Sequence, residues 1–232
     1  MNQVLQVDEL SFQVKRSPRR HTLELIVDRS GELVIAAPNE TNEDSMAAFV
    51  REKKFWLYRK LAEKEAKQQP AGGKEFVSGE GFPYLGRSYR LLLVEGQEAP
   101  LRLANGRFCL RTDRAHQGRE TFIGWYSERA RLWLRKRIRG WVPRVGAEPK
   151  GIEIRDLGYR WGSCGKAGAL NFHWATILLR PSVIDYVIVH ELVHLIEPNH
   201  TSLFWQHVGR VLPDYKQRKT WLAEQGGAFV SL

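Results

Sequence analysis

The chain has 232 residues, enough for one large domain or two small ones with a proper core. Its 36 Lys and Arg against 26 Asp and Glu leave a formal charge of +10; such a surface favours an anionic partner such as nucleic acid or a nucleotide, although the same bias also serves solubility. Two distant cysteines, Cys109 and Cys164, exclude a disulfide framework. With no signal-peptide pattern at the start and no run of about 18 apolar residues, the expectation is a cytoplasmic chain with no membrane anchor.

The first forty residues alternate like a small sheet. Phe12 and Val14, then Leu23, Leu25 and Val27, then Leu33 and Ile35 recur at period two, with a turn at Arg29-Ser30-Gly31. A helix follows, opened by a capping box of Thr41 and Asp44 and carrying Met46, Phe49, Trp56 and Lys60. It fades near Gln69, before the breaker cluster Pro70-Ala71-Gly72-Gly73. Residues 74–112 form a second β section, in which Phe82, Tyr84, Tyr89 and Leu91 alternate with glycines and Asn105-Gly106 marks a hairpin. From Glu120 to Trp141 the pattern is helical and strongly basic. It reads as a solvated face or as an anion-binding one.

In the last third, Ile152 and Ile154 suggest a short strand, Gly158 to Gly168 a glycine-bearing loop, and Leu170 to Leu179 one or two further strands. Pro181 suits the first position of an apolar helix, and two more helices are expected over 201–212 and 214–225. No internal repeat is visible in the sequence.

The apolar helix carries His190-Glu191-Leu192-Val193-His194. Residues i and i+4 stand one above the other, so both imidazoles aim at one point. Glu191 is rotated by about 100° from His190, beside a metal rather than on it, where it can serve as general base. Two histidines and a glutamate on a buried helix are costly without a metal. Pro198 forces a turn that can bring His200 back as third ligand, with Glu197 as the rival; three ligands and an open position describe a catalytic zinc site. His173 and His207 stand alone and read as packing residues, His21 and His116 as surface residues, and Cys164 as structural. Arg160, Tyr159 and Tyr215 are candidates to stabilise an oxyanion or contact substrate.

The run Arg160-Trp161-Gly162-Ser163-Cys164, with Leu170-Asn171-Phe172, Pro181 to Tyr186, HELVHL, Asn199-His200 and Phe204-Trp205, resembles the YgjP-like family of metallopeptidases, related to SprT-type and WLM-type zincins. Tyr84-Leu85-Gly86-Arg87 and Ser17-Pro18-Arg19-Arg20 extend the likeness over nearly the whole chain; Thr201 replaces the serine that often follows the third histidine. The pattern along the chain gives an N-terminal β-rich region with a helix (1–115), and the resemblance implies that a zincin-like domain (116–232) follows, with a small sheet, an active-site helix and a backing helix; together they make an α+β fold. The resemblance also implies His200 as third ligand, Zn2+ as cofactor, and a peptide or protein substrate lying along an edge strand, placed at 169–174. It leaves a nucleoside-triphosphate pyrophosphatase and a non-enzymatic metal-containing module as alternatives.

Overall fold

The computed structural model describes residues 3–27, 32–65, 73–158, 160–165, 167–229 and 232. The chain forms two compact units, Met1–Ala71 and Gly72–Leu232.

In the first unit the strands are β1 (Gln3–Val7), β2 (Leu10–Ser17), β3 (Glu24–Val27) and β4 (Leu33–Pro38), in the order β1-β2-β4-β3. The β2–β4 pair is parallel and the others antiparallel. The alternating residues give three of these strands; β1 joins them by pairing with β2. The turn expected at residues 29–31 and the helix fade near Gln69 lie outside the described residues. Helix α1 (Glu43–Glu52) is capped by Asn42, whose side chain accepts from the Ser45 amide at 2.8 Å, in place of the expected Thr41–Asp44 box. The single helix expected here breaks at Lys53 and resumes as α2 (Lys54–Glu65). Met46, Val50 and Leu57 bury against Phe12 and Ile35, closing a small core.

The second unit begins with β5 (Gly81–Tyr84), β6 (Arg87–Val94), β7 (Leu101–Ala104) and β8 (Arg107–Arg111), in the order β5-β6-β8-β7 with β6 and β8 parallel. This repeats the topology of the first sheet, a relation that the sequence does not display. Asn105 and Gly106, with φ of 51° and 72°, make the expected tight turn. Helix α3 (Gly118–Val145) is longer than the basic run suggested and ends in a left-handed Gly146. Phe122 of α3 stacks on Phe82 of β5 at 4.1 Å and meets Phe108 of β8 at 5.1 Å. The boundary expected after residue 115 therefore falls inside this unit, where sheet and helix share one core.

Beyond α3, β9 (Gly151–Arg155), β10 (Gly162–Cys164) and β11 (Ala169–His173) form a sheet in the order β10-β11-β9. β11 is its central strand, antiparallel to β10 and parallel to β9. The strand expected at the edge is thus covered on both sides, and β10 is the edge nearer the site described below. A buried 3-10 turn, Trp174–Leu178, leads to α4 (Pro181–Val193), α5 (Ser202–Val211) and α6 (Tyr215–Gln225). The β5–β6 turn seats this junction: the Leu85 and Gly86 amides donate to the Ile177 and Leu178 carbonyls at 2.9 and 3.0 Å. Gly86 has φ +76°, and a Cβ there would stand 2.5 Å from Arg180 Cγ, so only glycine fits. Among the described residues no helix is long and apolar enough to cross a membrane.

Candidate metal centre and active site

Pro181 occupies the first turn of α4, as its fixed φ allows, and Val183, Ile184, Val187, Ile188 and Val189 bury the helix. Two carboxyl groups are buried with them, Glu191 and Asp185. Asp185, 4% exposed, accepts from Arg137 Nε and Nη2 at 2.6 and 2.7 Å and from Trp141 Nε1 at 2.9 Å, all on α3. This bidentate pair and the indole donor tie α4 to its neighbour.

Helix α4 ends earlier than Pro198 alone would require. His194 is already its C-cap, and Leu195 and Ile196 donate back to the Leu192 and Val193 carbonyls in a tighter turn. His194 keeps its bond to the His190 carbonyl at 3.3 Å, so the i, i+4 alignment survives. Pro198 and Asn199 then reverse the chain. Thr201 starts α5 by accepting the Phe204 amide at 3.3 Å. Serine and threonine are both favoured at such a cap, which gives the Thr201 replacement its physical reading.

The reversal brings His190, His194 and His200 together. Their Nε2 atoms stand 3.2, 3.2 and 3.0 Å apart in the three pairings. Nitrogens held about 2.0–2.1 Å from a tetrahedral zinc lie roughly 3.3–3.4 Å from one another, so the donor set fits that ion closely. His194 Nδ1 lies 3.2 Å from the Glu197 carbonyl; donating there, it turns its Nε2 lone pair toward the other two. Burial holds all three imidazoles toward the neutral form, His190 down to about 3, and neutral imidazoles are the ones that bind a metal. The Glu197 carboxylate is elsewhere, accepting the Asn199 amide at 3.2 Å within the turn.

Phe204, fully buried, floors this cluster with its ring 5.0, 4.6 and 4.7 Å from those of His190, His194 and His200. Trp205 stacks on His200 at 5.7 Å, and Tyr215 stacks on Trp205 at 5.5 Å. Glu191 is 5% exposed; burial pushes its carboxyl up to about 8, against the opposing pull of Arg160. Its side chain lies against Gly162 of β10, where a Cβ would come within 2.7 Å of Cγ and Oε1.

Of the expected contact residues, Arg160 therefore acts on Glu191, and Tyr215 belongs to the aromatic wall. Tyr159 lies outside the described residues. His173 is a packing residue, accepting the Ala175 amide at Nδ1 and facing Asp156 at Nε2. Cys109 and Cys164 are both free. Sequence reasoning missed Tyr186, which is buried and 5.8 Å from His190; burial, then Glu191 and Tyr215, push its phenol up to about 12. Its position four residues before His190, on the same helical face, was the signal available. Lys219, with Nζ 4.1 Å over the Trp205 ring, gave no such signal.

A family model described as YgjP-like, metallopeptidase domain, matches residues 21–225. No curated protein matches the chain. Among solved structures, the metallopeptidase zymogen of Pyrococcus abyssi abylysin is 23% identical over 38% of this chain and 91% of that chain. Its TM-score of 0.35 is too low to bear on the fold.

Proposed function

The chain belongs to the YgjP-like family of metallopeptidase domains, and on that premise we propose that it is a zinc-dependent peptidase with His190, His194 and His200 as ligands and Glu191 as general base. The observation that carries this reading is the triangle of facing Nε2 atoms with Glu191 beside it. Zinc at such a site supplies Lewis acidity and an acidified water.

The chain's own groups do the rest. Glu191 takes the proton of the attacking water and returns it to the leaving amine. Gly162 leaves room for that carboxylate. Arg160 or Tyr215 stabilises the developing oxyanion, with Tyr159 a further candidate. The peptide lies along the exposed side of β10, the edge strand that carries Gly162.

A three-imidazole site favours zinc over Mg2+, the ion usual for triphosphate hydrolysis. The anionic partner expected from the net charge stays a proposal, with the basic face of α3 as its place. Arg129, Arg131, Arg135, Lys136, Arg139 and Arg144 are exposed there, whereas Arg137 is held by Asp185. Two unpaired cysteines suit a reducing, cytoplasmic setting.

The test incubates zinc-loaded protein with an unfolded protein and, separately, with a panel of nucleoside triphosphates, using Glu191→Gln as control. Peptide products that vanish in the control, by about 10²–10⁴-fold in rate, are expected. Triphosphate hydrolysis without any peptide product would overturn the proposal.

A further inference from the structure

We infer that this site selects peptides with an acidic side chain next to the scissile bond, and that Lys219 is the residue that reads it. The inference rests on the peptidase reading above and names its substrate class.

Lys219 follows Tyr215 by one helical turn on α6, and both lie against Trp205. Its ammonium stands 4.1 Å over the indole centroid, while the same indole stacks on His200 at 5.7 Å. A lysine on an exposed helix face is ordinarily mobile; cation–π attraction holds this one against the indole that stacks on the third imidazole.

The acidic groups around the centre leave Lys219 unanswered. Glu191 is buried and faces Gly162 and Arg160, and the Glu197 carboxylate is turned into its own loop on the His194 side. Among the described residues Lys219 makes no ion pair, whereas Arg218 beside it binds Asp214 at 2.9 Å. Arg160 adds a second positive charge on the Glu191 side. A bound peptide meets a fixed ammonium near the metal centre, with an apolar indole and phenol below it. A glutamate or aspartate satisfies both: its carboxylate meets the ammonium and its methylenes cover the ring. A lysine or arginine in that place meets like charge.

The experiment uses internally quenched peptides of one length with Glu, Ala or Lys on either side of the cleaved bond, turned over by the zinc-loaded protein. In parallel, the chelated protein is titrated into fluorescein-labelled, uncleaved Glu and Lys peptides and followed by anisotropy. One charge contact at a partly exposed site gives roughly a tenfold Glu-over-Lys preference in kcat/KM, shrinking at high salt. The anisotropy series should show the same order. In Lys219→Gln the ratio should fall close to one, and in Lys219→Glu it should invert. A ratio near one in the parent chain, or one that Lys219→Glu leaves unchanged, overturns the inference; cleavage of all three peptides alike leaves the peptidase reading standing. If no peptide is cut while a nucleoside triphosphate is hydrolysed, both fall together.

Discussion

The Cα of Gly162 faces the carboxylate of Glu191 so closely that a methyl group on residue 162 would stand 2.7 Å from both Cγ and Oε1. Residue 162 opens β10 and Glu191 is inside α4, so one missing side chain lets strand and helix enclose the candidate base. Replacing Gly162 by alanine should push the Glu191 carboxylate aside while leaving the three imidazoles in place. The expected outcome is a fall in turnover of about 10²-fold, in the range for a displaced general base, with zinc content unchanged. Steady-state kinetics with elemental analysis checks it. Full activity in Gly162→Ala would remove the significance of the contact.

His200 and Glu197 are separated by the same turn but have different partners. His200 Nε2 faces the other two imidazoles, and the Glu197 carboxylate holds the Asn199 amide. His200→Ala should lose zinc on dialysis, whereas Glu197→Gln should retain about one equivalent. Chelation should lower the melting temperature of the parent chain, because a ligand at about 100 times its Kd contributes about 2.7 kcal/mol. His200→Ala should show almost no further shift with chelator. Zinc retained by His200→Ala but lost by Glu197→Gln would reverse the ligand assignment.

Phe204 touches all three imidazole rings from below. Phe204→Ala should cost about 3–5 kcal/mol of stability by opening a cavity, and Phe204→Leu distinctly less. Because the floor also fixes ring tilt, zinc affinity measured by competition with a chelating dye should weaken even in Phe204→Leu. An unchanged affinity in the leucine variant would confine Phe204 to packing.

Asp185 joins α4 to α3 from within the core. Removing it in Asp185→Ala leaves Arg137 and Trp141 without their acceptor. Arg137 is 46% exposed and recovers water, so the loss should be about 2 kcal/mol rather than the 3–5 of a fully buried pair. Denaturant melts compare this variant with Arg137→Met, which should be worse than a simple surface change because it leaves the buried carboxylate with the Trp141 donor and the more distant Arg218 but without its bidentate partner. Equal stability of Asp185→Ala and the parent would exclude the tie.

The sequence by itself determined the local chemistry. HExxH spacing, Pro181, the Asn105-Gly106 turn and the apolar run before His190 act over a few residues, through helix period and backbone sterics, and the structure has them where the spacing put them. Only the tertiary structure decided what depends on distant partners. β11 became a central strand because β9 and β10 both pair with it, and nothing in Ala169–His173 encodes that neighbourhood. The long apolar and basic run of α3 could not reveal that Phe122 closes the core of the preceding sheet, which puts sheet and helix in one unit. Gly162 reads as loop flexibility until α4 is laid across it, and Lys219 as one more surface cation until Trp205 arrives beneath it. Backbone and periodic signals are carried by neighbours in the chain; contacts between a strand edge, a helix face and an indole exist only once folding has brought them together.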